Sequence, residues 1–217
     1  MTQQTTRTTP VGDIDWTNAP AWYDANAEAF AQGSAAADTS AILDLFCAGL
    51  RPGAHVLDLG CGAGRDAAAL LERGYSVTAV DASAAMCAHA RRATGGRAQV
   101  SQANFAVCPA PDERWDGIWM MAALLHLPKA EWSQMIGRLH AALAPRGHLY
   151  VSIKQGRGEL IDSRGRPMSL AEPGELLGLA MDAAPAARIR SWTSRSAASG
   201  GEMQDWSNLL LVAEATK

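Results

Sequence analysis

Three glycines and two acidic residues stand at a spacing that suits the binding of a small polar ligand. The segment DLGCGAG begins at Asp58 and places glycines at alternate positions, and a second acidic residue, Asp81, ends the next apolar stretch. Glycine lets the backbone turn sharply and lets a ligand approach closely. A carboxylate accepts hydrogen bonds from hydroxyls and favours a cation. These residues are therefore the first candidates for a binding site.

The glycine pattern differs from the fingerprint of dinucleotide-binding proteins, in which G-x-G-x-x-G directly follows a strand. Counted from Gly60, the third position of that fingerprint is Arg65. Counted from Gly62, the sequence GAGRDA places Ala67 third, and two residues then separate the strand from the loop. A nicotinamide-dependent oxidoreductase is therefore ranked behind the hypotheses below.

From HVLDLG onwards, apolar stretches typical of strands alternate five times with helical patterns. This alternation predicts a parallel sheet with helices on both faces. The stretch HVLDLG lacks polar alternation except at Asp58, as is typical of a strand buried on both faces. Ligands of such sheets lie beyond the carboxyl ends of the strands. We therefore expect the chemistry to follow the last residues of the predicted strands, which are Leu59, Val80, Gln102, Met121 and Ile153.

Further elements are predicted at both ends of the chain. The first fifteen residues show no periodicity and are interpreted as a flexible tail, and one helix is predicted over about 20–33 and another over 38–50. Residues 155–170 are rich in Gly and Arg and predict a loop or a small hairpin. Two last strands, near 187–194 and 204–215, flank SAASGG and are predicted to form an antiparallel hairpin.

The composition excludes several functional classes. The 217 residues include 19 Lys and Arg against 22 Asp and Glu, whereas a non-specific nucleic-acid binder carries a basic excess. Hydrophobic residues make up 48%, which excludes global disorder, and no apolar run has the length of a membrane span. The four cysteines are too far apart for a zinc ribbon or a redox pair, and the N-terminal segment lacks a hydrophobic signal core. We therefore expect a cytoplasmic protein with no metal, nucleic-acid or membrane partner.

The block VLDLGCGAGRDAAALLERGYSVTAVDAS resembles class I S-adenosylmethionine-dependent methyltransferases. Their first motif is an acidic residue, one further residue and G-x-G-x-G, which here begins at Asp58. Their second motif is an acidic residue that ends the next strand, here Asp81. The resemblance implies an α/β, Rossmann-like fold with a mostly parallel seven-stranded sheet. It also implies S-adenosyl-L-methionine as the cofactor, with S-adenosyl-L-homocysteine as its product, and one domain over 16–217 with lid helices over 16–50.

The resemblance also implies which residues bind the cofactor. Asp81 accepts hydrogen bonds from the ribose hydroxyls of the cofactor, and Asp58 favours its cationic end. The glycines let the backbone run close to its methionine portion. Arg65 either reaches the cofactor's carboxylate or is a solvated helix residue, and Met86 either covers the adenine or belongs to the core. The expected cofactor-binding residues are Tyr23, Asp58, Gly60, Cys61, Gly62, Gly64, Arg65, Asp81, Ala82, Met86, Asn104, Phe105 and Met121.

The segment after the third strand departs from the family pattern. Many members carry an acidic residue there, whereas this chain has Gln102, Ala103, Asn104 and Phe105. We expect Asn104 to contact the edge of the adenine and Phe105 to pack on its ring.

Softer motifs extend the resemblance over residues 22–212, to a subgroup of small, stand-alone bacterial methyltransferases. These motifs are YDANA, IWMMAALLH, KQGRGE and WSN. In similar enzymes the leading helix folds over the cofactor as a lid. Tyr23 is then expected to touch the cofactor and Trp22 to wall off the substrate, or both residues anchor the lid through hydrophobic contacts.

His126 is the best candidate for a residue that acts on the acceptor. It directly follows the fourth predicted strand, and its usual pKa suits proton transfer near neutral pH. The alternative is a structural histidine that caps the following helix. Lys154 is expected to bind an anionic or polar acceptor, or to form a surface ion pair with Glu159. The expected catalytic residues are thus His126 and Tyr23, and the expected substrate-binding residues are Trp22, His126 and Lys154.

The sequence therefore predicts an enzyme that moves a methyl group from S-adenosylmethionine to an oxygen or nitrogen of a small molecule by in-line displacement. The slightly acidic charge and the compact chain favour a small acceptor. The segment after the fourth strand also lacks the N-P-P-Y-type tetrad of enzymes that methylate base amines. The alternative hypothesis is a non-catalytic protein that binds S-adenosylmethionine as a regulatory or assembly module.

Overall fold

A seven-stranded sheet forms the centre of the molecule in the computed structural model, which describes residues 14–104, 108–109, 112–197 and 202–215. The strands lie in the order β3-β2-β1-β4-β5-β9-β8. The first five are parallel, whereas β9 runs antiparallel to both of its neighbours. The strands are β1 (His55–Leu59), β2 (Ser76–Asp81), β3 (Gln99–Gln102), β4 (Trp115–Met121), β5 (Leu143–Lys154), β8 (Arg188–Ala197) and β9 (Met203–Val212). The predicted fold class, with its C-terminal antiparallel pair, is confirmed.

Helices cover both faces of this sheet. They are α1 (Ala19–Ala25), α2 (Ala27–Ala35), α3 (Ser40–Cys47), α4 (Arg65–Glu72), α5 (Ala84–Ala93), α6 (Trp132–Ala141) and α7 (Pro173–Ala183). One face packs against α6 and α7 through residues such as Trp132 and Leu176. The other face packs against α3 and α4 through residues such as Phe46 and Leu70. None of the helices in the described part of the chain is long and apolar enough to cross a membrane.

The N-terminal region differs in detail from the prediction. Residues 1–13 of the predicted tail lie outside the described residues, Ile14 is buried, and Asp15 caps a 3-10 turn by accepting from the N–H of Thr17. The single helix predicted over 20–33 is instead two helices that meet at Asn26. The Asn26 side chain and backbone both donate to the carbonyl of Trp22, which ends α1 there.

The structure also defines the Gly- and Arg-rich segment and the start of β5. The Gly- and Arg-rich segment contains a two-stranded hairpin, β6 (Glu159–Ile161) and β7 (Pro167–Ser169). Residues 145–147, with the turn-forming sequence PRG, lie inside β5, because Leu143 already pairs with Trp115 before a register shift. The tip of the C-terminal hairpin, predicted at SAASGG, lies mostly outside the described residues.

Gly64 sets how closely the glycine loop approaches α5. Its φ of +85° is left-handed, and a Cβ at this position would lie 2.6 Å from the Cα of Ala90. Gly74, after α4, has almost the same φ, +84°, but a Cβ there would meet nothing within 4 Å. The loop therefore needs glycine at position 64 for two reasons, whereas position 74 needs it for its φ alone.

We expect Gly64→Ala to lower the free energy of unfolding more than Gly74→Ala. The left-handed φ costs an alanine about 1–2 kcal/mol in both variants, and the contact with the α5 backbone adds about 1–3 kcal/mol only at position 64. Urea unfolding of the two variants measures the difference. Equal losses of stability would contradict the close contact between the loop and α5.

Candidate active site

A large cavity opens at the carboxyl ends of the parallel strands. Its volume is about 1480 Å³, enough for a nucleoside-sized ligand together with a second small molecule. Residues at the ends of four strands line it, as the position of ligand sites in parallel sheets leads one to expect. The predicted site residues on its wall are Tyr23, Gly60, Cys61, Gly62, Arg65, Asp81, Ala82, Asn104, Met121, His126 and Lys154.

The Asp81 carboxylate is held in place by the backbone on either side of it. One oxygen accepts from the N–H of Gly62 at 2.8 Å and the other from the N–H of Ser83 at 2.9 Å. Burial raises the pKa of Asp81 above its usual value, although these hydrogen bonds act in the opposite direction. Each carboxylate oxygen has two lone pairs, so Asp81 keeps acceptor capacity towards the cavity.

Asp58 is a buried carboxylate with one oxygen that lacks a partner among the described residues. Its side chain is 2% exposed, and Oδ2 is the unpaired atom. Burial, with the charge of Asp66, raises the pKa of Asp58 well above its usual range. A cationic or hydrogen-bond-donating group beside the glycine loop would satisfy such an oxygen. Asp58 itself does not line the cavity.

The Arg65 guanidinium is directed to the protein rather than to open space. It donates to both oxygens of Asp66, at 2.8 and 2.9 Å, and to the carbonyl of Ser34 at 3.0 Å. Asp66 also accepts from Thr39 and from the indole of Trp119. Arg65 therefore ties the end of α2 to the start of α4.

The remaining predicted cofactor residues divide into two groups. Ala82 and Asn104 lie on the cavity wall, and Cys61 joins them with a thiol whose pKa is raised well above its usual range by burial. Met86 is fully buried on α5, Gly64 packs against Ala90 of the same helix, and neither lines the cavity. Phe105, predicted to pack on adenine, lies outside the described residues.

The lid helices are fixed to the sheet by polar contacts. Asp24, on α1, accepts from the hydroxyl of Ser83 at 2.5 Å and from the N–H of Ala85 at 3.0 Å, at the first turn of α5. These hydrogen bonds lower the pKa of Asp24. Phe30, on α2, reaches the cavity and lies edge-on to Tyr23, with 4.9 Å between the ring centroids. The lid thus covers the glycine loop.

Tyr23 and His126, the predicted catalytic pair, are joined by a hydrogen bond. The Tyr23 hydroxyl lies 2.9 Å from Nε2 of His126, and Nδ1 lies 2.9 Å from the carbonyl of Pro167. Because a carbonyl only accepts, Nδ1 carries the hydrogen and the neutral ring accepts at Nε2 from Tyr23. Burial lowers the pKa of His126 to about 4 and raises that of Tyr23. Both groups are therefore uncharged at neutral pH, and both nitrogens of His126 are engaged.

Arg166 and Asp162 complete this network, and the sequence reasoning did not identify them. Arg166 is 5% exposed and donates from Nη1 to the Tyr23 hydroxyl at 3.1 Å. It also donates from Nε and Nη2 to Asp162, at 3.0 and 2.7 Å. Burial alone would raise the pKa of Asp162, but the hydrogen bonds from Arg166 lower it. The sequence signal that could have identified the pair is the four-residue spacing of Asp162 and Arg166 within the Gly- and Arg-rich segment.

Trp22 supports this network from outside the cavity. The Arg166 guanidinium lies over its ring, 4.8 Å from the centroid, a cation–π contact. Trp22 does not line the cavity, so the structure places it behind Arg166 rather than at the predicted substrate wall.

Lys154 lies on the cavity wall at the end of β5. The alternative ion pair with Glu159 is not formed: Glu159 accepts instead from the N–H of Lys129 at 2.6 Å and from the hydroxyl of Ser169 at 3.2 Å. Within the described ranges, no group of three or more His, Cys, Asp or Glu side chains is placed to hold a metal ion.

Comparisons with known proteins agree with this fold. Residues 56–147 match a family described as a methyltransferase domain. The chain is 39% identical over 113 residues to a trans-aconitate 2-methyltransferase of Paracidovorax citrulli, which covers 51% of this chain and 42% of that protein. It is 33% identical over 99 residues to an uncharacterized methyltransferase of Geobacillus kaustophilus, with 46% of each covered. The chain thus matches less than half the length of these relatives.

Solved structures share the fold at low sequence identity. An S-adenosylmethionine-dependent methyltransferase of Methanosarcina mazei superposes with a TM-score of 0.69 at 21% identity, over 82% of this chain and 99% of that one. The 1,6-didemethyltoxoflavin-N1-methyltransferase of Burkholderia thailandensis gives a TM-score of 0.63 at 24% identity, over 91% and 84%. These structures confirm the fold that the resemblance to class I S-adenosylmethionine-dependent methyltransferases predicted, and the match to the methyltransferase-domain family lies within that fold.

The state of His126 predicts a specific pH dependence. The unfolded chain takes up this proton near pH 6.5 and the folded chain only near pH 4, so between these values the unfolded state binds more protons. The free energy of unfolding therefore falls as the pH drops from about 6.5 to 4, by up to about 3 kcal/mol from this residue. His126→Gln removes that contribution and so flattens the pH dependence of urea unfolding.

The same state is visible directly by NMR. We expect the imidazole signal that disappears in His126→Gln to report the Nδ1–H tautomer at pH 7 and to titrate with a midpoint near pH 4. A midpoint near 6.5, or the opposite tautomer, would contradict the buried hydrogen-bonded arrangement.

Proposed function

We propose that this protein is an S-adenosylmethionine-dependent methyltransferase that transfers a methyl group to an oxygen or nitrogen of a small molecule by in-line displacement. The observation that carries this proposal is that one cavity is lined by the glycine loop, by Asp81 and by the hydrogen-bonded pair of Tyr23 and His126. A cofactor bound along the loop would bring its reactive end towards that pair.

The residues along the loop suit the chemical groups of the cofactor. Asp81, held by two backbone N–H groups, offers free lone pairs to two ribose hydroxyls. The unpaired oxygen of Asp58 suits the cationic end, directly or through water. Asn104 lies where the adenine edge is expected. Solved structures of the same fold include enzymes with bound S-adenosylmethionine or S-adenosylhomocysteine, which supports this choice of cofactor.

A small acceptor is supported by several observations. The relatives and solved neighbours with named substrates, trans-aconitate and didemethyltoxoflavin, act on small molecules. The acceptor end of the cavity is bounded by the lid, the β6–β7 hairpin and the last strands, through Tyr23, Asp162 and Trp206. Four free thiols, Cys47, Cys61, Cys87 and Cys108, fit a reducing compartment, so a cytoplasmic location is part of this proposal.

The enzyme's own contribution is alignment and the exclusion of water. S-adenosylmethionine supplies an activated methyl group whose sulfur leaves uncharged, so no acid is needed for the leaving group. Tyr23 and His126, fixed by Arg166 and the Pro167 carbonyl, form a rigid wall at the point where acceptor and methyl group meet. Holding the two reactants close together and correctly oriented lowers the activation free energy of transfer by several kcal/mol.

The cofactor part of the proposal is tested by isothermal titration calorimetry. The protein is expected to bind S-adenosylmethionine and S-adenosylhomocysteine at sub-millimolar concentration. An absence of binding by both would overturn the proposal. Turnover of any acceptor would separate the enzyme from a non-catalytic binding module.

Asp81→Asn is expected to weaken the binding of S-adenosylhomocysteine by about ten- to a hundredfold, since charge-assisted hydrogen bonds to the ribose are lost. The matched control is Asp182→Asn, which makes the same substitution at an exposed position on α7. This variant is expected to bind S-adenosylhomocysteine with unchanged affinity. Thermal unfolding of each variant checks that the glycine loop remains folded. An unchanged affinity in folded Asp81→Asn protein would refute the ribose role.

A further inference from the structure

Lys154 is half-buried on the cavity wall, and its ammonium has no hydrogen-bond or ion-pair partner among the described residues. Burial and the nearby charge of Arg166 lower its pKa. Asp162, the carboxylate close to both cations, is already paired with Arg166 at 2.7 Å. The positive charge of Lys154 is therefore left without an ion-pair partner in the part of the chain that the structure describes.

A second donor without a partner stands next to Lys154. Trp206, on β9, is the residue directly opposite Lys154 in the antiparallel pairing with β5, so the two side chains project from the same face of the sheet. Trp206 also lines the cavity, and its indole N–H has no acceptor in the part of the chain that the structure describes. The ammonium on the wall calls for a ligand that carries negative charge, and the indole N–H, although buried, is a donor that still lacks an acceptor.

His126, the predicted catalytic residue, is already engaged at both ring nitrogens. Nδ1 of His126 donates to the Pro167 carbonyl, and Nε2 accepts from Tyr23. The low pKa of His126 adds to this, because a group that resists protonation is a weak base. A hydroxyl or ammonium acceptor has to lose a proton during transfer, whereas a carboxylate is already deprotonated at neutral pH.

We propose that the acceptor is a small carboxylic acid, bound as its carboxylate by Lys154 and Trp206, and that the product is its methyl ester. This inference rests on the proposed function. In the transfer, a lone pair of the carboxylate oxygen forms the new C–O bond to the methyl carbon. The S–CH₃ bond breaks with its electron pair going to sulfur, so a cation and an anion give two neutral products and no proton moves.

The binding test uses protein saturated with S-adenosylhomocysteine, and benzoate, fumarate and trans-aconitate as probes, each compared with its amide. We expect at least one carboxylate to bind with a Kd below about 1 mM, and its amide to bind at least tenfold more weakly. Lys154→Gln is expected to weaken carboxylate binding about tenfold or more, and Lys154→Arg to retain most of it. The matched control is Lys129→Gln, a lysine paired with Glu175 at 2.6 Å outside the cavity, which leaves binding unchanged.

The outcomes separate this inference from the function on which it rests. If S-adenosylhomocysteine itself fails to bind, the proposed function fails. If it binds but no probe carboxylate binds below about 10 mM, if the amides bind equally well, or if Lys154→Gln binds as the wild type does, the carboxylate site is overturned.

The chemical test follows transfer of a tritiated methyl group from S-adenosylmethionine to the carboxylate that binds. A methyl ester releases volatile tritiated methanol in alkali, whereas N-methyl and ether products do not. The rate is expected to be nearly independent of pH between about 6 and 9, because no base has to be deprotonated. An alkali-stable product, or binding without transfer, overturns the proposal.

Discussion

The buried ion pair between Arg166 and Asp162 determines how the lid, the sheet and the β6–β7 hairpin meet. A guanidinium that is 5% exposed is tolerated only where its donors are paired, and Asp162 takes two of them. The next donor reaches Tyr23 on the lid, and Tyr23 donates to His126 after β4. The turn between β6 and β7 supplies both members of the pair, so a short hairpin at the edge of the molecule sets the position of groups at the centre of the cavity.

The lid depends on such polar contacts because it buries little apolar surface. α2 has no buried residue, and α1 has only Ala19. Three hydrogen bonds help to hold these helices over the glycine loop. Asp24 accepts from Ser83 at the start of α5, the carbonyl of Ser34 accepts from Arg65, and Tyr23 donates to His126. Individual hydrogen bonds contribute about 1 kcal/mol each, so these contacts hold the two helices in place with a modest free energy.

The sequence predicted the sheet, its parallel part and the cofactor wall, because strand periodicity and the glycine spacing are local signals. Asp81, Gly62 and His126, which it predicted for the site, line one cavity, since the ends of parallel strands share one edge. It left Met86 and Arg65 undecided, because their surroundings depend on how α5 and α2 pack. Arg166 was missed for the same reason: its partners, Tyr23 and Asp162, are 143 and 4 residues away, and only the folded hairpin brings them together.

Charged groups of both signs border the cavity. Asp81 lies on its wall beside the glycine loop, whereas Lys154 stands on the wall without an ion-pair partner among the described residues. In the proposed reaction, the sulfonium end of the cofactor is attracted to carboxylate charge, and the anionic acceptor is attracted to Lys154. The attraction between two charged reactants is stronger where water is excluded. Transfer to the proposed carboxylate acceptor removes both reacting charges, so the field that aligns the reactants holds the less charged products less tightly.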